Sequence, residues 1–174
     1  RRISEIGRGL AEHTEVLLLS DEASLYERES HSYFAPYRSV HLIEGRADRP
    51  GEPPILLRAR VSRHAFVRMR AELRRLIAIH EPDIVQLEHM ELAALVEERQ
   101  GNEKWVLTLH DVYLDGGKSD AWQKKMLARF DALIACSEED AALLDHPRVL
   151  LVPNGGIDRL DAYAPSPDGP NLLF

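Results

Sequence analysis

One cysteine in 174 residues leaves no partner for an internal disulfide, and a reducing compartment is the natural reading. That cysteine, Cys136, ends the apolar run Leu133-Ile134-Ala135, which suits a small buried hydrophobe better than a nucleophile. Basic residues are in the minority, 22 Lys and Arg against 29 Asp and Glu for a net charge of −7, which excludes general affinity for nucleic acid. No apolar run approaches the length of a bilayer-spanning helix, and no signal peptide opens the chain. A cytoplasmic setting is expected, with contact at the inner membrane face left open. Internal repeats and low-complexity tracts are missing. No Gly-x-Gly-x-x-Gly follows a strand. Gly116-Gly117-Lys118-Ser119 fails as a phosphate loop, because Val112 stands where its first glycine belongs.

What is present is an alternation of helical and extended segments. Ile3, Ile6, Leu10 and Ala11 mark one face of an opening helix, and Phe66, Met69, Leu73, Leu76 and Ile77 recur at helical spacing between Ser62 and His80. Strands are expected at Glu15 to Ser20, Val40 to Ile43, Ile84 to Leu87, Trp105 to Leu109, Ala132 to Ala135 and Val149 to Val152. Further helices are expected at Met90 to Glu98, Trp122 to Phe130 and Ser137 to Leu144, the last capped by Ser137. The uninterrupted run Val149-Leu150-Leu151-Val152 reads as a strand buried on both faces, stopped by Pro153-Asn154-Gly155-Gly156. This order specifies an α/β fold, a three-layer Rossmann-like parallel sheet with helices on both faces. Such a sheet usually begins with a central strand ahead of the first helix. Here the helix comes first with no initiator Met, so the chain is expected to begin inside something longer.

Ligands of open parallel sheets gather at the carboxyl ends of strands, so residues there are the candidates. His110 follows Leu109; an imidazole there can bond a ligand hydroxyl, or it can satisfy a loop carbonyl. Asp111 can accept from a hydroxyl, orient His110 or close a turn. Glu88 and His89 end the preceding strand, and such a pair can bind a polyhydroxylated ligand. The run Glu88-His89-x-Glu91 lacks the spacing of a helical zinc site, so no metal is expected; His89 and Glu91 equally fit a helix start. Residues Arg58 to Arg75 carry seven arginines against Glu72 alone. They form either a patch for an anionic membrane surface or acidic glycan, or a solvated face paired with acidic neighbours.

Several segments resemble one family. Glu5 to Val16 is similar to the first helix and second strand of retaining glycosyltransferases of the GT-B fold, the group 1 family. Pro82-Asp83-Ile84-Val85-Gln86-Leu87-Glu88, Thr108-Leu109-His110-Asp111 and Phe130 to Asp140 resemble its later strands in order. Val152-Pro153-Asn154-Gly155 with Asp158 resembles its v-P-N-G-v-D turn, with one glycine more than usual, and Asn171 to Phe174 resembles the start of its second domain. The resemblance implies an amino-terminal, acceptor-side domain over 1–164, then a linker and the start of a nucleotide-sugar-binding domain over 165–174. It implies a hexosyltransferase-type enzyme of carbohydrate biosynthesis. Its partners would be a nucleotide-sugar donor, a glycan or lipid-linked acceptor and a carboxyl-terminal GT-B domain. No cofactor beyond the donor substrate is implied. His110 would be catalytic, with Asp111, Glu88, His89, Asn154 and Gly155 binding substrate. The alternatives are a Rossmann-like oxidoreductase or epimerase domain and a non-catalytic binding module.

Overall fold

The computed structural model describes residues 2–20, 35–43, 63–110, 112 and 118–153. In chain order these form α1 (Arg2–Ala11), β1 (Leu17–Ser20), β2 (Ser39–Leu42), α2 (Arg63–His80) and β3 (Ile84–Glu88). A 3₁₀ helix (Met90–Glu98), β4 (Lys104–Leu109), α3 (Lys118–Leu127), β5 (Ala132–Ala135), α4 (Glu138–Leu143) and β6 (Val149–Leu151) follow. Every strand pairing is parallel, as the helix–strand alternation requires. The interdomain segment expected at 165–174 lies outside the described residues.

The strands divide into two sheets, β1-β2 and β3-β4-β5-β6, where a single sheet of six was expected. Among the described residues, no ladder joins β1 to β3. The join is made by side chains instead. Phe66, Met69, Leu73 and Ile77 of α2 form one core with Val85 and Leu87 of β3, and Leu19 of β1 packs against it. That core continues through Ala93, Leu95 and Val96 of the 3₁₀ helix to Trp105, Leu107, Leu109 and Leu133. Odd-numbered residues of β3 and β4 thus enter the core, and the period of two turns the even-numbered ones to the other face.

Three local expectations are corrected. β6 is not buried on both faces: Leu150, Leu151 and Val152 are exposed, because among the described residues β6 bonds only β5 and its covering helix α4 has six residues. The segment Met90–Glu98 winds as a 3₁₀ helix, entered through His89 at φ 75° with no side-chain cap to start an α-helix. The buried side of α1 runs through Gly7, leaving Leu10 exposed, because Tyr37 packs where any Cβ at Gly7 would sit. The cap on α4 is as expected. Ser137 Oγ accepts from the Asp140 backbone N–H at 3.0 Å and donates to Asp140 Oδ2 at 2.8 Å.

The arginine-rich stretch is used within the fold. Arg70 and Arg74 both pair with the buried carboxylate of Glu98, clamping α2 to the 3₁₀ helix. Arg75 pairs with Glu72 on the next turn at 2.6 Å. Residues 58–62 lie outside the described residues.

Candidate active site

β3 and β4 end side by side, with Glu88 in register with Thr108, and this neighbourhood carries the polar side chains of the rim. His110 stands one residue past β4, so its ring reaches back over the end of β3. His110 Nε2 lies 2.8 Å from Glu88 Oε2, with the two side chains 14% and 20% exposed. The pair is therefore sheltered yet still open to a ligand. Glu88 Oε1 accepts from Gln86 Nε2 at 2.8 Å and from Thr108 Oγ1 at 3.1 Å.

His89 packs its ring against His110, centroids 4.3 Å apart and tilted by 40°. Its φ of 75° is a conformation that non-glycine residues adopt at a cost of about 1–3 kcal/mol, and such outliers cluster at functional sites. The backbone N–H of His89 donates to the Thr108 carbonyl at 2.9 Å, fixing the reversal that brings the two rings together. Cys136 is buried, as expected, and its Sγ lies 3.9 Å from His110 Nδ1.

The structure therefore brings together His110, Glu88 and His89 from the expected set. Asp111, Asn154 and Gly155 lie outside the described residues. Val112, just beyond Asp111, donates its N–H to Asp140 Oδ1 at 3.2 Å, so the chain leaving the site is tied to the start of α4.

Sequence reasoning missed three residues here. Gln86 and Thr108 become visible only once the parallel register is known, although both share the even-numbered parity of Glu88 and His110. Tyr37 is the third. Burial, and then the nearby Glu88 charge, push its phenol above the usual tyrosine range, which keeps it protonated beside the carboxylate.

A separate open groove of about 650 Å³ lies between β2 and α2, lined in part by His41, Arg68, Glu72 and Arg75. Its carboxylate, Glu72, is held below the usual range by the Arg75 hydrogen bond, and His41 lies 3.4 Å away. The groove's lining takes in the end of β2 but no residue of β3 or β4, and its carboxylate is already engaged by Arg75 and His41. Among the described residues, no three His, Cys, Asp or Glu side chains converge as metal ligands, and no helix is long and apolar enough to cross a membrane.

Known proteins agree with this architecture. The structure is similar to that of sucrose-phosphate synthase from Thermosynechococcus elongatus, with a TM-score of 0.51 at 12% identity, over 83% of this chain and 91% of that one. At that identity the likeness establishes the fold, the amino-terminal half of a GT-B glycosyltransferase. No curated protein matches the chain. The family model for Glycosyltransferase Family 4 matches residues 1–156, and over that span the chain belongs to this family of glycosyltransferases.

Proposed function

We propose that this chain is the acceptor-side wall of a retaining glycosyltransferase that moves a sugar from a nucleotide-sugar donor to a hydroxylated acceptor, a glycan or a lipid-linked saccharide. The observation that carries the reading is the His110–Glu88 pair at the adjoining carboxyl ends of β3 and β4, where an open parallel sheet presents its ligands. In the reaction, the anomeric carbon leaves the diphosphate oxygen and bonds to the acceptor oxygen, and the acceptor proton departs with the diphosphate. Positive charge develops on the sugar ring in between. A carboxylate-backed imidazole suits that step, because Glu88 holds the ring in one orientation and the pair can steady developing positive charge in a partly dry site.

In this reading His110 contacts the donor sugar and is the catalytic residue. Glu88 and His89 shape its surroundings, while Asp111, Asn154 and Gly155 complete the acceptor and hinge side. A carboxyl-terminal GT-B domain supplies the nucleotide-binding wall, so the chain alone turns over little or no substrate. The donor is the only small molecule the reaction requires. Reduced Cys136 fits a cytoplasmic setting.

The test is a nucleoside-diphosphate release assay on the protein expressed from its full coding sequence, over a panel of nucleotide sugars with and without crude acceptor. Release from at least one donor, enhanced by acceptor, is the expected result. No release from any donor, together with tight nicotinamide-dinucleotide binding, would assign the fold to redox chemistry instead.

A further inference from the structure

We propose that Gln86 and Thr108 are positioning residues that aim Glu88 at His110 and so fix the proton of the neutral His110 ring on Nε2. The inference rests on the transferase reading only for its effect on turnover. The hydrogen-bond arrangement that carries it stands by itself.

Gln86 and Glu88 are two residues apart on β3 and share a face, and the register Glu88↔Thr108 sets the Thr108 hydroxyl beside them. The Gln86 amide donates to Glu88 Oε1 at 2.8 Å and to Thr108 Oγ1 at 3.1 Å. Thr108 Oγ1 spends its single proton on the same Oε1, at 3.1 Å. One carboxylate oxygen thus receives both donors from the strands, and the other, Oε2, faces His110 Nε2 at 2.8 Å. A carboxylate only accepts, so Nε2 must donate, and in the neutral ring the lone pair falls on Nδ1, on the side of Cys136 Sγ at 3.9 Å.

Thr108 is 3% exposed, so water has little access to replace its hydroxyl. Removing that hydroxyl leaves Oε1 with one holding donor instead of two, so the carboxylate can turn away from His110 and Nε2 loses its fixed acceptor. With the Nε2 proton spent on Oε2, the couple offers a sugar hydroxyl the remaining lone pair of Oε2 beside an imidazole held in one orientation. That couple keeps its geometry only while Oε1 is held from behind.

The test is two-bond ¹H–¹⁵N correlation of the histidine rings in the 174-residue chain near neutral pH, where tautomers have distinct nitrogen shifts. The expected result is the Nε2–H form for His110, replaced by a tautomer mixture in Thr108→Val and restored in Thr108→Ser. Gln86→Leu, at an exposed position that leaves the core intact, should shift the ring in the same direction as Thr108→Val. An Nδ1–H ring in the unaltered chain overturns the proposal. So does an unchanged His110 spectrum in both Gln86→Leu and Thr108→Val. In the intact enzyme, Thr108→Val should lower kcat by about tenfold to a hundredfold, with KM changed far less and rescue by Thr108→Ser. Should the tautomer behave as expected while His110→Ala keeps full turnover, the transferase role of His110 fails and the positioning inference survives.

Discussion

The clamp on Glu98 makes a quantitative demand on stability. The Glu98 side chain has no accessible surface, whereas Arg70 and Arg74, which hold it, are 39% and 61% exposed. The two halves of the clamp should therefore not be equivalent. In Arg70→Met with Arg74→Met, the methionine stems keep the lid over the carboxylate while removing both of its donors. Breaking a buried pair from one side costs roughly 3–5 kcal/mol, and the lower end applies here because the arginine heads already reach water. In Glu98→Gln no charge is left buried: one arginine still donates to the amide oxygen and the other returns to solvent, so the loss should be about 1 kcal/mol. For a chain of this length each kcal/mol moves Tm by roughly 2–4 °C, which predicts a fall of about 6–12 °C for the double variant and about 2–4 °C for Glu98→Gln. Thermal unfolding followed by circular dichroism reads both. A double variant that loses no more than Glu98→Gln would refute the claim that the carboxylate is sealed and dependent on its two arginines.

Asp131 predicts acid sensitivity of a definite sign. The Trp105 backbone N–H, helped by the Arg99 and Lys104 charges, outweighs the burial penalty and holds its carboxyl below the usual range. Its contribution is therefore complete above the ordinary value of about 3.9 and is lost as pH falls through the lower folded value. The stability gap between the protein and Asp131→Asn should be constant near neutrality and close below about pH 4, and a gap that persists to pH 2 contradicts the assignment. The two glycines of α1 should respond oppositely to alanine. At Gly9 nothing lies within 4 Å of an added Cβ, so Gly9→Ala should stabilise by roughly 0.5–1 kcal/mol. At Gly7 the Cβ would overlap the Tyr37 phenol, so Gly7→Ala should destabilise by about 1 kcal/mol or more, and equal effects on Tm would remove Tyr37 from that contact. With Arg70, Arg74 and Arg75 in ion pairs, the chain should not co-sediment with anionic vesicles at low salt. Salt-sensitive pelleting abolished by charge reversal in the segment from Arg58 to Arg75 would restore the membrane reading.

The sequence was most legible where periodicity and burial coincide. Val85 and Leu87 on β3, with Trp105, Leu107 and Leu109 on β4, alternate as a sheet over a core requires, and the helix between Arg63 and His80 follows its apolar stripe. Illegible features depended on the company an element keeps. Val149 to Val152 is as apolar as a central strand, but hydropathy cannot say that β6 has one neighbour and a short helix over it. Nor could it say that β1-β2 and β3-β6 would form separate ladders. The burial of Glu98 depends on α2, which brings two arginines over it. In the site, His110 and Glu88 stood out as polar residues at strand ends. The bonds from Gln86 and Thr108 follow from cross-strand register, which no single strand encodes.

Sugar transfer at the His110–Glu88 rim is tested most directly by the turnover of His110→Ala in the intact enzyme, under saturating donor and acceptor. The proposed function predicts a fall in kcat of roughly tenfold to a thousandfold with the fold preserved. A folded variant that turns over at the rate of the unaltered enzyme would contradict it, and would move the chemistry away from the ends of β3 and β4.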